Sequence, residues 1–249
     1  MSVPIAIPEP TSSDPAYNQR SLPPYLSALR AASATPIVIP LHEGQDRVAE
    51  LLAGVRGILL PGSRYDIDPH RYGEEPTPEC GEPDPARYAV DKLLLQEAFN
   101  LRKPILAICH GGQTLNVWLN GSLIQDLKTA VNHRPGREVA EAHSVRISPG
   151  TRLAGLLPLG VLADVQVNSS HHQAIRITGD KLKVSAVSPG DGVIEAVELN
   201  STEHFVLAVQ WHPERSYAES QLSRAIFAAF MEAAELWEPP SVEERNAPE

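Results

Sequence analysis

Apolar runs that alternate with amphipathic stretches predict an α/β fold, with a buried and mostly parallel central sheet and antiparallel strands added in the second half. Three observations carry this prediction. In the first half, Val3–Ile7, Pro36–Leu41, Gly57–Leu60 and Pro104–Ile108 are continuous apolar runs bounded by Pro and Gly. Strands covered on both faces read this way, because neither face has to meet water. Longer stretches with helical spacing lie between these runs, and in the second half short runs follow one another with only turns between them.

Taken in order, Leu22–Ala32 places Tyr25, Leu26 and Leu29 on one helical face. Asp46–Ala53 does the same with Val48, Leu51 and Leu52, and Ala86–Leu101 with Val90, Leu94, Leu95 and Ala98. Later come Val145–Ile147, Val161–Val167, Lys183–Val187, Val193–Leu199 and Phe205–Gln210. The turns Thr178-Gly179-Asp180 and Pro189-Gly190-Asp191-Gly192 predict mixed or antiparallel strands and hairpins among them. A closing helix over Glu219–Trp237 repeats Leu222, Ile226, Phe227 and Phe230, and residues 238–249 read as a frayed acidic tail. No repeat or low-complexity linker interrupts residues 1–237, which predicts one domain.

The 249 residues are 42% hydrophobic, enough for a sizeable core, and carry a formal net charge of -10. Half of that excess sits after Ala229, where six glutamates from Met231 to Glu249 face one arginine. An acidic chain argues against nucleic acid as the main partner. Two cysteines make no disulfide framework, and the start lacks the basic and apolar regions of a leader. No uncharged apolar stretch reaches the ~18 residues of a membrane span. The expectation is a cytoplasmic protein with no membrane partner.

The stretch PILAICHGGQTLNVWLNGS runs an apolar strand straight into Cys109, then His110, Gly111 and Gly112, and then a helical segment from Gln113. A nucleophile at such a strand-to-helix turn is presented above the sheet. The turn is tight enough to demand small residues two before and two after, here Ala107 and Gly111. The following helix would lower the pKa of Cys109. A structural cysteine at a strand end is the competing reading, as is a nucleotide-binding turn, although no G-x-G-x-x-G spacing is present.

A cysteine nucleophile needs a base and a group to orient it. In FVLAVQWHPERSY, a strand leads to His212, Pro213 and Glu214. Residues two apart in extended chain share a side, and Pro213 biases His212 toward extended geometry. His212 and Glu214 are therefore the expected base and orienter, completing a triad with Cys109.

The pair AICHGGQ and VQWHPE resembles the signature of class I glutamine amidotransferases. More narrowly, LPGSRYDIDPHRYGEEP, DPARY, NGSLIQDL, VNSSHHQAI and DGVIEAVE resemble the gamma-glutamyl-gamma-aminobutyrate hydrolase family. The resemblance implies a flavodoxin-like three-layer α/β/α sandwich with an antiparallel addition. It also implies an oxyanion hole made by the backbone amides of Gly62 and His110, with Gln113, His172 and Gln173 near the substrate. The implied reaction is hydrolysis of a gamma-glutamyl amide through a thioester, with no cofactor. The alternatives are a glutaminase subunit that feeds ammonia to a separate synthetase, and a degenerate binding protein. A homodimer is left open.

Three positions depart from the family pattern: His110 for Arg, Gly112 for Met, and Tyr88 for Asp. They bear on substrate choice rather than on the triad. Gly112 and the exposed loop over Glu74–Pro85 are expected to make room beyond the scissile nitrogen. His133, His143, His171, His172 and His204 lack the spacing of His-Glu-x-x-His or Cys/His zinc motifs, so no metal is expected. Cys80 lies in a Pro/Gly/Glu-rich loop and reads as a bystander, and Ser63 lacks a G-x-S-x-G frame.

Overall fold

A computed structural model of the chain describes residues 2–157 and 164–240. Among the described residues, eleven strands and six helices follow in the order β1 (Val3–Pro8), α1 (Pro15–Ala31), β2 (Ala34–Ile39), α2 (Gln45–Leu52), β3 (Gly57–Leu60), α3 (Pro85–Leu101), β4 (Ile105–Ile108), α4 (His110–Trp118), β5 (Ser122–Ile124), β6 (His143–Ile147), α5 (Arg152–Gly155), β7 (Val165–Val167), β8 (Ala174–Ile177), β9 (Leu182–Val187), β10 (Ile194–Leu199), β11 (Val206–Val209) and α6 (Gln221–Leu236). A 3-10 turn, Pro69–Tyr72, lies in the loop after β3.

The sheet runs β2-β1-β3-β4-β11-β10-β9-β6-β7. Its first five strands are parallel, as the continuous apolar runs predict, and antiparallel pairing begins between β11 and β10. Alternation along each central strand separates two cores. Ile5, Leu59, Leu106 and Leu207 meet Leu29 of α1 and Phe227 and Phe230 of α6. Ala6, Ile58, Leu60, Ile105 and Val206 meet Leu52 of α2, Leu94 and Leu95 of α3, and Leu115 of α4. Helices cover both faces, which makes the flavodoxin-like three-layer sandwich. β5 and β8 branch from this path, β8 pairing with both β5 and β10.

Several boundaries differ from the sequence reading. Helix α1 begins at Pro15, because the Asp14 side chain accepts from the Tyr17 amide and Pro15 supplies the first turn, and it then continues through Pro23 and Pro24. Strands β5 and β8 and helix α5 carry too few residues for their period to register. The turn Pro189–Gly192 is the expected hairpin, joining the paired β9 and β10. Of the run Val161–Val167, β7 takes the last part, and residues 161–163 lie outside the described residues, as does the tail from 241 onward.

Three parallel strands end side by side. Pro61 and Gly62 follow β3, Cys109 follows β4, and His212 comes shortly after β11. Carboxyl ends of parallel strands are where open α/β sheets bind ligands.

Candidate active site

Cys109 joins β4 to α4 with φ 54° and ψ -111°, a left-handed conformation that side chains rarely adopt. Two backbone bonds hold it there. Its amide donates to Val209 O at 2.8 Å, and its carbonyl accepts from the Gln113 amide at 3.1 Å. Gly111 is required by close approach, since a Cβ there would lie 2.3 Å from Leu60 O. The expected elbow forms for the expected reason.

His212 is placed by a two-bond clamp. Its amide donates to Asn168 Oδ1 at 2.8 Å, and its carbonyl accepts from Asn168 Nδ2 at 2.9 Å. Its Nδ1 lies 2.9 Å from Glu214 Oε1. A carboxylate only accepts, so this contact places the proton on Nδ1 and leaves a lone pair on Nε2. That Nε2 is buried with no hydrogen-bond partner among the described residues. Gly62 ties the pieces together: a Cβ on it would lie 3.0 Å from His212 Cε1 and 3.6 Å from Cys109 Cβ. Cys109, His110, Gln113, His172, Gln173 and His212 all line one cleft of about 330 Å³.

The electrostatics differ from expectation in one respect. Burial pushes the Cys109 thiol up to about 12, while Arg215 and the His110 amide work in the opposite direction. The helix N-terminus therefore does not make Cys109 a resting thiolate; desolvation of the charged form outweighs it. Burial also holds His212 down to about 4 against the pull of Glu214. Glu214 is lowered; burial raises it, but the His212 ring and Arg215 outweigh that effect. At neutral pH the pair is a neutral thiol and a neutral imidazole beside a carboxylate.

A sequence profile of the family described as peptidase C26 matches residues 6–214. The chain belongs to the peptidase C26 family. Among its relatives, the gamma-glutamyl-gamma-aminobutyrate hydrolase PuuD of Escherichia coli K12 is 37% identical over 224 residues, covering 85% of each chain. A Mycobacterium tuberculosis protein whose name places it among the glutamine amidotransferases is 40% identical over 209 residues. That match covers 82% of this chain and 66% of the relative, so this chain spans just under two thirds of its length. A Thermoplasma acidophilum protein described as part of a GMP synthase shares the fold, with a TM-score of 0.66 at 17% identity, covering 94% of this chain and 95% of that one. Membership of a peptidase family, with a relative named a hydrolase, supports a hydrolase.

The other residues singled out in this C26 sequence fare differently. The Gly62 amide donates to the Tyr25 hydroxyl at 2.9 Å, and that hydroxyl lies 3.4 Å from His212 Nδ1. An oxyanion would have to displace Tyr25 to reach Gly62. Gln113 Nε2 donates to Gln173 O and Gln210 Oε1. His172 sits between two carboxylates, with Nε2 2.9 Å from Asp66 and Nδ1 3.2 Å from Asp126. Both of its nitrogens are thus engaged, and the Asp66 contact raises its pKa despite burial.

Gly112 does not widen the cleft. Its Cβ position is 3.3 Å from Ala208 Cβ, and the residue lines a small interior cavity with Cys109, Glu195 and Gln210. Nor do residues of the Glu74–Pro85 loop line the cleft. Cys80 is half-buried near Asp66, and burial and that carboxylate push its thiol up to about 11, so it stays a poor nucleophile.

Sequence reasoning missed Tyr25 as more than a core residue, and missed the arginines. Arg20, Arg64, Arg134, Arg137 and Arg215 line the cleft with one carboxylate, Asp66. Arg134 and Arg137 flank a Pro-Gly turn, where charge alone carries no signal of what they face. His133, His143, His171 and Glu195 converge in the interior, and they come from four separate segments, so no spacing motif could show it.

Proposed function

We propose that this chain is a cysteine hydrolase that cleaves the gamma-glutamyl amide bond of small gamma-glutamyl compounds, gamma-glutamyl-gamma-aminobutyrate among them, releasing glutamate and an amine. The observation that carries the reading is the state of His212: Nδ1 is held by Glu214, and Nε2 is buried and unpartnered in the cleft that Cys109 also lines.

The Cys109 sulfur attacks the amide carbon as its proton passes to His212 Nε2. The amides of Gly62 and His110 hold the developing oxyanion, Gly62 by exchanging Tyr25 for it. His212 then gives its proton to the leaving amine, and a gamma-glutamyl thioester remains on Cys109. Water, deprotonated by His212, attacks the thioester; glutamate leaves, and the proton returns to the thiolate. Glu214 keeps the ring in one tautomer and stabilises its cation.

The test is a mass-spectrometric screen of gamma-glutamyl amides, glutamine included, against the isolated chain and two variants. Cys109→Ala should lose at least about a thousandfold in kcat, and Cys80→Ala should stay near normal. Equal loss in both would remove Cys109 from the role. A preference for glutamine that emerges only on adding a second protein would give the chain to the synthetase-subunit reading instead.

A further inference from the structure

At the inner edge of the cleft, which His171 also lines, four polar side chains meet in the interior. His133, His143, His171 and Glu195 are all buried, with exposures of 3%, 8%, 4% and 1%. His133 Nδ1, His143 Nε2 and His171 Nε2 lie 3.1, 3.5 and 3.6 Å from the same atom, Glu195 Oε1. None of these contacts has hydrogen-bond alignment, and all three nitrogens and both Glu195 oxygens are without a hydrogen-bond partner among the described residues.

The far side of each ring explains which atoms carry protons. His143 Nδ1 lies 3.1 Å from Ser144 O, and His171 Nδ1 lies 2.9 Å from Gln173 O. A carbonyl oxygen can only accept, so both rings carry their proton on Nδ1 and turn a lone pair inward. His133 Nε2 lies 2.9 Å from Asp191 Oδ2. A carboxylate oxygen accepts from that nitrogen, so a neutral His133 carries its proton on Nε2 and turns a lone pair inward from Nδ1. With neutral rings, four acceptors therefore face one another in the buried interior, an arrangement that is unfavourable unless a cation sits among them.

We infer that His133, His143, His171 and Glu195 form a closed structural zinc site. A tetrahedral zinc with bonds of ~2.0–2.1 Å sets its ligand atoms about 3.3–3.4 Å apart, and the three nitrogen–oxygen separations bracket that edge. All four ligand atoms lie within 4.8 Å of one another, so small ring rotations complete the shell. Three neutral imidazoles and one carboxylate suit zinc among divalent ions. The outer partners Asp191, Ser144 O and Gln173 O orient the rings as they do around metal centres. A proton on His133 would satisfy one contact only and leave two lone pairs against the same oxygen. Four protein ligands leave no open position for substrate, so the ion would pin rather than react. It would fasten β10 and the start of β6 to the loop holding His133 and to the loop that carries Ser170, His172 and Gln173 into the cleft.

The site does not depend on the proposed reaction, and its test reads metal rather than turnover. The tag-free full chain, purified with zinc present and dialysed against metal-free buffer, should retain about one zinc per chain by elemental analysis. Loaded with cobalt(II) in its place, it should show the visible absorption of a tetrahedral centre. Glu195→Gln and His143→Ala should lose both signals, and His172→Gln, outside the cluster, should keep them. Asp191→Asn should weaken zinc binding roughly ten- to a hundredfold. Wild-type chain that keeps no zinc, gives no tetrahedral cobalt spectrum and shows no rise in Tm on adding zinc would overturn the inference. Full zinc retention by a folded Glu195→Gln would do so as well.

Discussion

At Cys109 two effects oppose each other: burial drives the thiol up to about 12, and Arg215 with the His110 amide favours the thiolate. Burial also holds the His212 ring down to about 4. The resting pair therefore carries no proton transfer, and in the proposed reaction His212 would act as a base only once the thiol is engaged. The sign of the pH dependence follows. Below about 4 His212 is charged and cannot accept, so kcat/KM should fall tenfold per pH unit as pH drops through that value. Neither group produces an alkaline limb before about 12. An acid limb centred near neutrality in kcat/KM would mean that a charged thiolate–imidazolium pair operates instead. In the proposed mechanism His212 moves protons in both half-reactions whereas Glu214 only holds the ring, so His212→Ala should cost more in kcat than Glu214→Gln. Tyr25 gives a separate check. Tyr25→Phe leaves the Gly62 amide unpartnered, which should lower stability by roughly 1–3 kcal/mol while kcat/KM stays within a few-fold. A tenfold or greater loss in kcat/KM would show that the hydroxyl itself acts on substrate.

At the scale of elements, the elbow shows which parts of the site a sequence can carry. Strand β4, Cys109 and Gly111 are adjacent in the chain, and their geometry is dictated by local close approach, so the pattern is readable. Gly111→Ala would set a Cβ 2.3 Å from Leu60 O, on neighbouring strand β3, with no side chain free to move aside. It should cost about 3 kcal/mol in denaturant unfolding and lower kcat as β4 and α4 shift. Unchanged stability would show that the elbow is more pliable than this packing implies. The His212–Pro213–Glu214 segment is readable for the same local reason. Other parts were not. Pro23 and Pro24 ordinarily mark a first turn, yet α1 starts seven residues earlier than the expected Leu22, at Pro15, which the Asp14 cap decides. Tyr25 reads as one apolar position of a helix face, and only the packing of α1 over β3 shows that its hydroxyl meets Gly62. The His133, His143, His171 and Glu195 cluster is assembled wholly by tertiary contacts between the antiparallel strands and their loops.

At the scale of the whole molecule, charge is distributed against its average. The chain is acidic, with a formal net charge of -10, yet its cleft is lined by five arginines and a single aspartate, Asp66. Asp14 engages Arg64 at 2.5 Å. Arg137 donates to Ser21 Oγ and the Arg20 carbonyl, neutral acceptors that leave its charge uncompensated there. A positive cleft on a negative surface focuses the field on anionic ligands and repels them elsewhere. Gamma-glutamyl-gamma-aminobutyrate carries a carboxylate on each side of the scissile amide, whereas glutamine carries one, on the glutamyl side alone. The substrate with two carboxylates, which carries one more negative charge than glutamine, should therefore be preferred by tenfold or more in kcat/KM, roughly 1.4 kcal/mol of transition-state binding. Arg134 and Arg137 come from the loop between β5 and β6 rather than from the elbow, so under the proposed function they would act on binding rather than on bond breaking. Arg134→Ala and Arg137→Ala should raise KM for the dicarboxylate substrate several-fold with kcat little changed, and should narrow its advantage over glutamine. The same KM should climb with ionic strength as the Debye length falls from about 10 Å at 0.1 M toward 3 Å at 1 M. Steady-state kinetics on the isolated chain across that salt range decides it. A KM indifferent to both salt and the arginines would show that shape, not charge, selects the leaving amine.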